Sequence, residues 1–136
     1  MNRNQLALLL SLLIGITLIG FFFFGAKKEV DFSTEIKPIL NKHCISCHGG
    51  VKKSGGFSLL FEEEAFAPTE SGHPAIVPGS SSSSELIKRL THSDPELRMP
   101  YQRAQLSEEE IELLKEWIDQ GAKWGQHWAY EPVQEP

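Results

Sequence analysis

Apolar residues along this chain change their spacing several times, and each change predicts a different element. From Leu6 to Ala26 the sequence runs uncharged for 21 residues, Phe21 to Phe24 included. As a helix this run would span about 31 Å, enough to cross the hydrocarbon part of a bilayer. After Lys27 and Lys28 the spacing becomes helical and one-sided. Ile36, Ile39, Leu40 and Cys44 fall near one face of a helix predicted over Phe32 to His43. Asp31 or Ser33 is placed to cap it, and Pro38 should loosen its first turn.

From Val51 to Pro78 the periodicity fades, leaving the apolar group Phe57, Leu59, Leu60 and Phe61 and then Glu62, Glu63 and Glu64, which read as a solvated helix start. Pro78-Gly79 signals a turn. Ser80 to Ser84 reads as a solvated linker whose last serine caps a short helix, Glu85 to Thr91, presenting Leu86, Ile87 and Leu90. A second one-sided pattern follows: Ile111, Leu114, Ile118 and Ala122 form a stripe that Leu113 and Trp117 widen. Ser107 and Glu110 make a capping box at the start of this helix, predicted over Ser107 to Gln120, and Gly121 suits its C-terminal stop. Trp124, His127, Trp128 and Tyr130 should lie on the domain. The expected division is an anchor and tether over 1–29, a helical domain over 30–128 and a tail or linker over 129–136.

A secretory signal normally has a shorter apolar stretch and small residues before its cleavage point. Cleavage after Ala26 would leave bulky Phe24 three positions back, so the run reads as an uncleaved anchor, with a cleaved signal as the alternative. Thirteen basic against eighteen acidic residues give a net charge of −5. That balance disfavours nucleic acid, whose phosphates need a basic face. It mildly favours a partner with a positive patch.

Chemistry concentrates in Cys44-Ile45-Ser46-Cys47-His48, which holds both cysteines of the chain. Two thiols three positions apart, followed at once by an imidazole, are the spacing of covalent haem c attachment: one haem, two thioethers and one axial nitrogen. A redox dithiol usually sits beside a βαβ pattern, which is missing here. A structural zinc site wants four ligands, and neither a second cysteine pair nor a closely spaced histidine pair is present, although His43 and His48 flank the thiols. Met99 is the one methionine after the initiator, in a loop between two helical patterns, and its thioether is a candidate for the opposite face of the iron. Lone methionines are usually core filler. Its competitors are His92, nearest in sequence, and His73 and His43, which would give bis-histidine ligation and a lower potential.

The order of these features resembles class I cytochrome c. More closely, it is similar to the cytochrome c-like module found at the N-terminus of large multidomain proteins of planctomycetes and related bacteria. The residues that carry the resemblance are Phe32 to Leu40, Cys44 to Gly49, Gly55 to Leu59, Ala75 to Gly79, Arg98 to Pro100 and Leu106 to Ala122. It implies a mainly α, class I cytochrome c-like fold around one covalently bound haem c, behind a single N-terminal transmembrane helix. It further implies thioethers at Cys44 and Cys47, His48 as proximal ligand and Met99 as distal ligand. Thioether attachment takes place outside the bacterial cytoplasm, so the domain should face the periplasm from the inner membrane, or be secreted there if residues 6–26 are removed.

With both axial positions filled, no small-molecule substrate is expected. The chain then reads as a one-electron carrier for membrane or periplasmic redox proteins rather than an enzyme. A gas-binding haem protein, or a module whose haem serves folding and docking, is the alternative. In the larger proteins, sequence like Trp128 to Pro136 leads into further domains, so the chain reads as a stand-alone cytochrome or as a first module.

Overall fold

The first helix is wide where it starts and regular where it ends. In the computed structural model, which describes Gln5 and residues 28–125, a π-helical turn over Phe32–Ile36 runs directly into helix α1, Lys37–His43. The cause is Pro38, at the second position of α1. It has no N–H to give to the carbonyl four residues back, and its ring crowds that carbonyl. The turn before it opens, and the Lys37 N–H reaches five residues back to the Phe32 carbonyl. Asp31 caps the start, accepting from the Thr34 N–H at 2.7 Å, while the Asp31 N–H donates to Glu35 at 2.9 Å. Ile36, Ile39, Leu40 and Cys44 are all buried, as their spacing requires.

The later elements are short. Helix α2 covers Ile45–His48, and a two-residue strand β1, Lys52–Lys53, lies antiparallel to His48 and Gly49. A 3-10 turn at Ser54–Gly56 and helix α3, Glu62–Phe66, follow. After a 3-10 turn at Ser81–Ser83 come α4, Glu85–Leu90, and α5, Glu108–Asp119. Among the described residues the domain is thus mainly α, as expected.

Helix α5 is the spine. Ser107 and Glu110 close a reciprocal capping box, with bonds of 2.9 and 3.1 Å. At its other end the Gly121 N–H donates to Ile118 and the Ala122 N–H to Trp117, both at 2.9 Å, a Schellman stop with Gly121 at φ 102°. Leu114, Trp117 and Ile118 are fully buried, and Ile111 and Leu113 are partly so.

The first helix passes α5 in the opposite sense, because contacts join both pairs of ends. Phe32 packs on Trp117, with ring centres 5.7 Å apart, and the Val30 N–H donates to Gln120 at 2.8 Å. At the far end Lys42 and His43 meet Glu110 at 3.0 and 3.3 Å. Trp124 folds back onto Phe32, with ring centres at 4.5 Å.

Two local expectations change. The serine run is a built corner rather than a solvated linker. Ser84 stands at the N-cap position of α4 but makes no cap bond. Its hydroxyl is buried, accepting from the Val77 N–H and donating to the Ser80 carbonyl, both at 2.9 Å. Ser81 ties the corner to α5 by two bonds to Asp119, at 2.7 and 2.9 Å. No helix among the described residues is long and apolar enough to cross a membrane. The span expected over 6–26, the tail over 129–136, and His127, Trp128 and Tyr130 lie outside the described residues.

Glu110 joins the cap of α5 to the end of α1, and its chemistry gives a pH test. The Ser107 backbone N–H, then Lys42 and His43, hold its carboxyl down at about 2, against an ordinary value of 4.5, despite partial burial. The folded state therefore binds this proton less tightly than the unfolded chain. The stabilisation is complete above about pH 4.5 and is lost as pH falls towards 2. Near neutral pH, Glu110→Gln keeps an oxygen for the Ser107 N–H but loses the charge facing Lys42 and His43, and should unfold more easily than the parent by up to about 1 kcal/mol, the scale of a partly exposed ion pair. Denaturant titrations across that acid range should show the gap between the two proteins closing.

Candidate functional site

The thiols and the imidazole are brought together by one short turn of backbone. The Cys44 N–H closes α1 on the Leu40 carbonyl at 2.8 Å, and the Cys44 carbonyl then accepts from both the Cys47 and the His48 N–H, each at 3.0 Å. Positions i, i+3 and i+4 of a helical turn share a face. Cys44, Cys47 and His48 accordingly all line a single cavity of about 760 Å³. That volume lies in the range of cofactor sites, roughly 300–1,000 Å³.

The turn is held from beyond. The Leu59 N–H donates to the His48 carbonyl at 2.7 Å, and the Phe57 ring sits 5.0 Å from the imidazole. Gly49 can follow His48 because it lacks a side chain. A Cβ there would stand 2.6 Å from the Ile45 carbonyl oxygen.

The electrostatics favour neutral sulfur. Both thiols are free, and Cys44 is buried. Burial, then the neighbouring Cys47, pushes the Cys44 thiol up to about 11. Reactive and metal-binding cysteines need the opposite, a stabilised thiolate. Among the described residues no group of three or more His, Cys, Asp and Glu side chains could hold a metal ion, whereas a structural zinc site needs four ligands. The donor set thus speaks against the zinc and dithiol readings.

Burial also lowers the His48 pKa, keeping the imidazole neutral; the backbone of Phe57 and of Ser54 pulls the other way. Neither closes a hydrogen bond with the ring, whose Nδ1 is buried without a partner. Buried polar atoms are nearly always satisfied. A neutral imidazole and two thiols lining one cofactor-sized cavity are a donor set that fits a haem c.

Met99 lines the same cavity, partly buried against the core. Its competitors are placed otherwise. His92 accepts the Asp94 N–H on Nδ1 at 3.0 Å, His73 is exposed, and neither belongs to the cavity wall. His43 reaches the wall, but its Nε2 faces Glu110.

The apolar group after Gly56 divides. Phe57 and Leu59 are buried, whereas Leu60 and Phe61 are 47% and 60% exposed. They stand at the turn into α3, where Phe61 takes the N-cap position. Sequence patterns missed the polar lining. The Arg103 guanidinium donates to the Ser46 hydroxyl at 3.0 Å, Lys52 stands 3.8 Å from the Cys47 sulfur, and Glu85 and Arg89 of α4 join the wall. The glutamate–arginine spacing on α4 was visible, but what the pair faces is decided by tertiary packing.

Residues 44–101 match the family model described as Planctomycete cytochrome C. The match starts at the first thiol and ends just beyond Met99, so the resemblance drawn from the motifs is shown over this stretch. The chain carries a cytochrome c-like, haem-type segment. No curated protein and no solved structure matches the chain.

Gly49→Ala tests whether the turn tolerates displacement. The added methyl meets a backbone carbonyl, so α2 must shift. Overpacking of this kind costs about 1–3 kcal/mol. Thermal melts should show the loss, and the yield of haem-bearing protein after maturation should drop with it. An unchanged melting temperature would show that the close approach is not a constraint.

Proposed function

We propose that this chain is a membrane-anchored monohaem c-type cytochrome, an electron carrier rather than an enzyme. The observation that supports it best is the meeting of three neighbouring side chains with a fourth that is distant in sequence. Both thiols, the adjacent imidazole and the sulfur of Met99 line one cavity. When bound, haem c supplies a one-electron couple.

The chain's own residues do the rest. Cys44 and Cys47 hold the group as thioethers, whose neutrality suits the buried position of Cys44. His48 offers an imidazole kept neutral by burial. Met99 offers a soft, uncharged sulfur, and a methionine in place of a second histidine raises the reduction potential. Burial of the wall by Phe57, Leu86 and Ala75 excludes water, which also tunes the potential. The apolar run over 6–26 would hold the domain at the inner membrane, facing the periplasm. Tethering of this kind raises the effective concentration of membrane redox partners without any new contact. The net charge of −5 suits partners with a positive docking face.

Two measurements test the reading. Protein matured in a host competent for haem c should carry one porphyrin by mass spectrometry under denaturing conditions. Cys44→Ala/Cys47→Ala should carry none, and free thiols in the parent would refute the proposal. Met99→His should lower the midpoint potential in redox titration by on the order of a few tenths of a volt, inside the roughly 0.8 V that axial ligands span. It should also abolish the weak far-red absorption of the sulfur-ligated oxidised state.

A further inference from the structure

A thioether is a weak, uncharged ligand, so its hold depends on how firmly the chain presents it. Met99 sits in an irregular stretch between α4 and α5, with Arg98 and Met99 outside any helix. Part of its support is local. The Leu97 and Arg98 N–H groups both donate to the Asp94 carbonyl, at 3.1 and 3.0 Å, and Tyr101 reaches Glu96 at 3.1 Å. These bonds shape the loop but do not fix it to the domain.

Beyond Met99 the Arg103 guanidinium ties the loop to Ser46 at 3.0 Å; on the near side the hold comes from one residue of α4. The Arg89 carbonyl accepts the Met99 N–H at 2.9 Å. The Arg89 side chain donates from Nη1 to the Leu97 carbonyl at 3.3 Å. Its Nε donates to Glu85 Oε1 at 2.8 Å, one helical turn back. Residue 89 therefore grips the loop on both sides of Arg98, with main chain on one side and guanidinium on the other. Glu85 holds the guanidinium in place. Both side chains line the same cavity as Met99.

From this geometry we propose that Arg89, oriented by Glu85, is the positioning residue that keeps the Met99 sulfur at the haem face. The inference rests on the reading of Met99 as axial ligand. Arginine suits the role because its planar fork makes two directed bonds at once. Lysine at 89 would keep the charge but could not serve Glu85 and Leu97 with the same geometry. The Arg89 carbonyl survives substitution, so a variant loosens the loop without releasing it.

Carbon monoxide binding to the reduced holoprotein reads the open fraction directly. An external ligand that needs an open site binds with an apparent affinity scaled by the population of that state. Removal of a charge-assisted grip should raise that population, and so the apparent affinity, by about tenfold.

Five variants are compared with the parent, each with its far-red band and melting temperature recorded. Met99→Ala should bind carbon monoxide readily. Arg89→Ala should gain about tenfold and lose part of the far-red band, and Arg89→Lys should lie between it and the parent. Glu85→Ala, which leaves Nε without its acceptor, should move towards Arg89→Ala. Ile118→Val loosens the core far from the loop and should bind as the parent does.

If Met99→Ala differs from the parent but Arg89→Ala does not, the positioning role is wrong while the ligation stands. A gain in Ile118→Val equal to that in Arg89→Ala would likewise overturn it, by showing that general loosening suffices. If Met99→Ala matches the parent, the ligation reading itself fails, and this inference with it.

Discussion

The structure depends on a single carbonyl. The oxygen of Cys44 accepts two N–H groups, from Cys47 and His48, and so bends five residues into a turn that faces two sulfurs and an imidazole one way. A face defined by i, i+3 and i+4 is rigid at short range, but it is only four residues long and cannot stand alone. The other elements supply what it lacks. Helix α1 ends on Cys44 and fixes where the turn begins. Leu59 takes up the His48 carbonyl and fixes where it ends. Helix α5 then locks α1 from outside, through Glu110 at one end and Trp117 and Gln120 at the other.

The same arrangement explains why the domain is built around a cavity. A chain of this size buries a small core, and here Ile36, Leu114, Trp117, Ile118, Ile76 and Leu90 belong to one buried cluster with Phe57 and Leu86, which also line the cavity. A cavity of about 760 Å³ opens beside them. Unfilled apolar volume forfeits the contacts its lining atoms would make. A covalently held macrocycle would supply those contacts, so under the proposed function the cofactor completes the packing as well as carrying the electron.

How much of this was legible in the sequence follows from the range of each interaction. Elements governed by neighbours within four residues were read well. The capping box at Ser107, the buried stripe of α5, the loosened turn before Pro38 and the shared face of Cys44, Cys47 and His48 are all local. Elements decided by distant partners were not. Five serines look like solvent-exposed filler until Asp119, 38 residues away, is seen to bind Ser81, and Ser84 to bind the Val77 N–H. Leu60 and Phe61 continue the apolar group of Phe57 and Leu59 in the sequence, yet the turn into α3 leaves them exposed. Arg89 carries a visible helical pairing with Glu85 but no signal that it reaches Leu97 and Met99. His43, a candidate by composition, is claimed by Glu110 instead.

The two faces of the site are consequently unequal in their mechanical support. His48 is presented by a helical turn closed on its own backbone and braced by Phe57 and Leu59. Met99 is presented by a loop tied to the domain through residue 89 and, further on, through Arg103 to Ser46, its other bonds being within the loop. Regions with few external bonds open at lower free-energy cost than the global fold. Opening should thus begin on the methionine side. Under the proposed function the histidine side would stay attached through two thioethers as well as the imidazole, and the asymmetry would place the adjustable contact where it tunes the potential and the permanent one where it prevents loss of the group. The residue types agree with that division: two thiols and a neutral imidazole where the backbone is rigid, a soft thioether where it can yield.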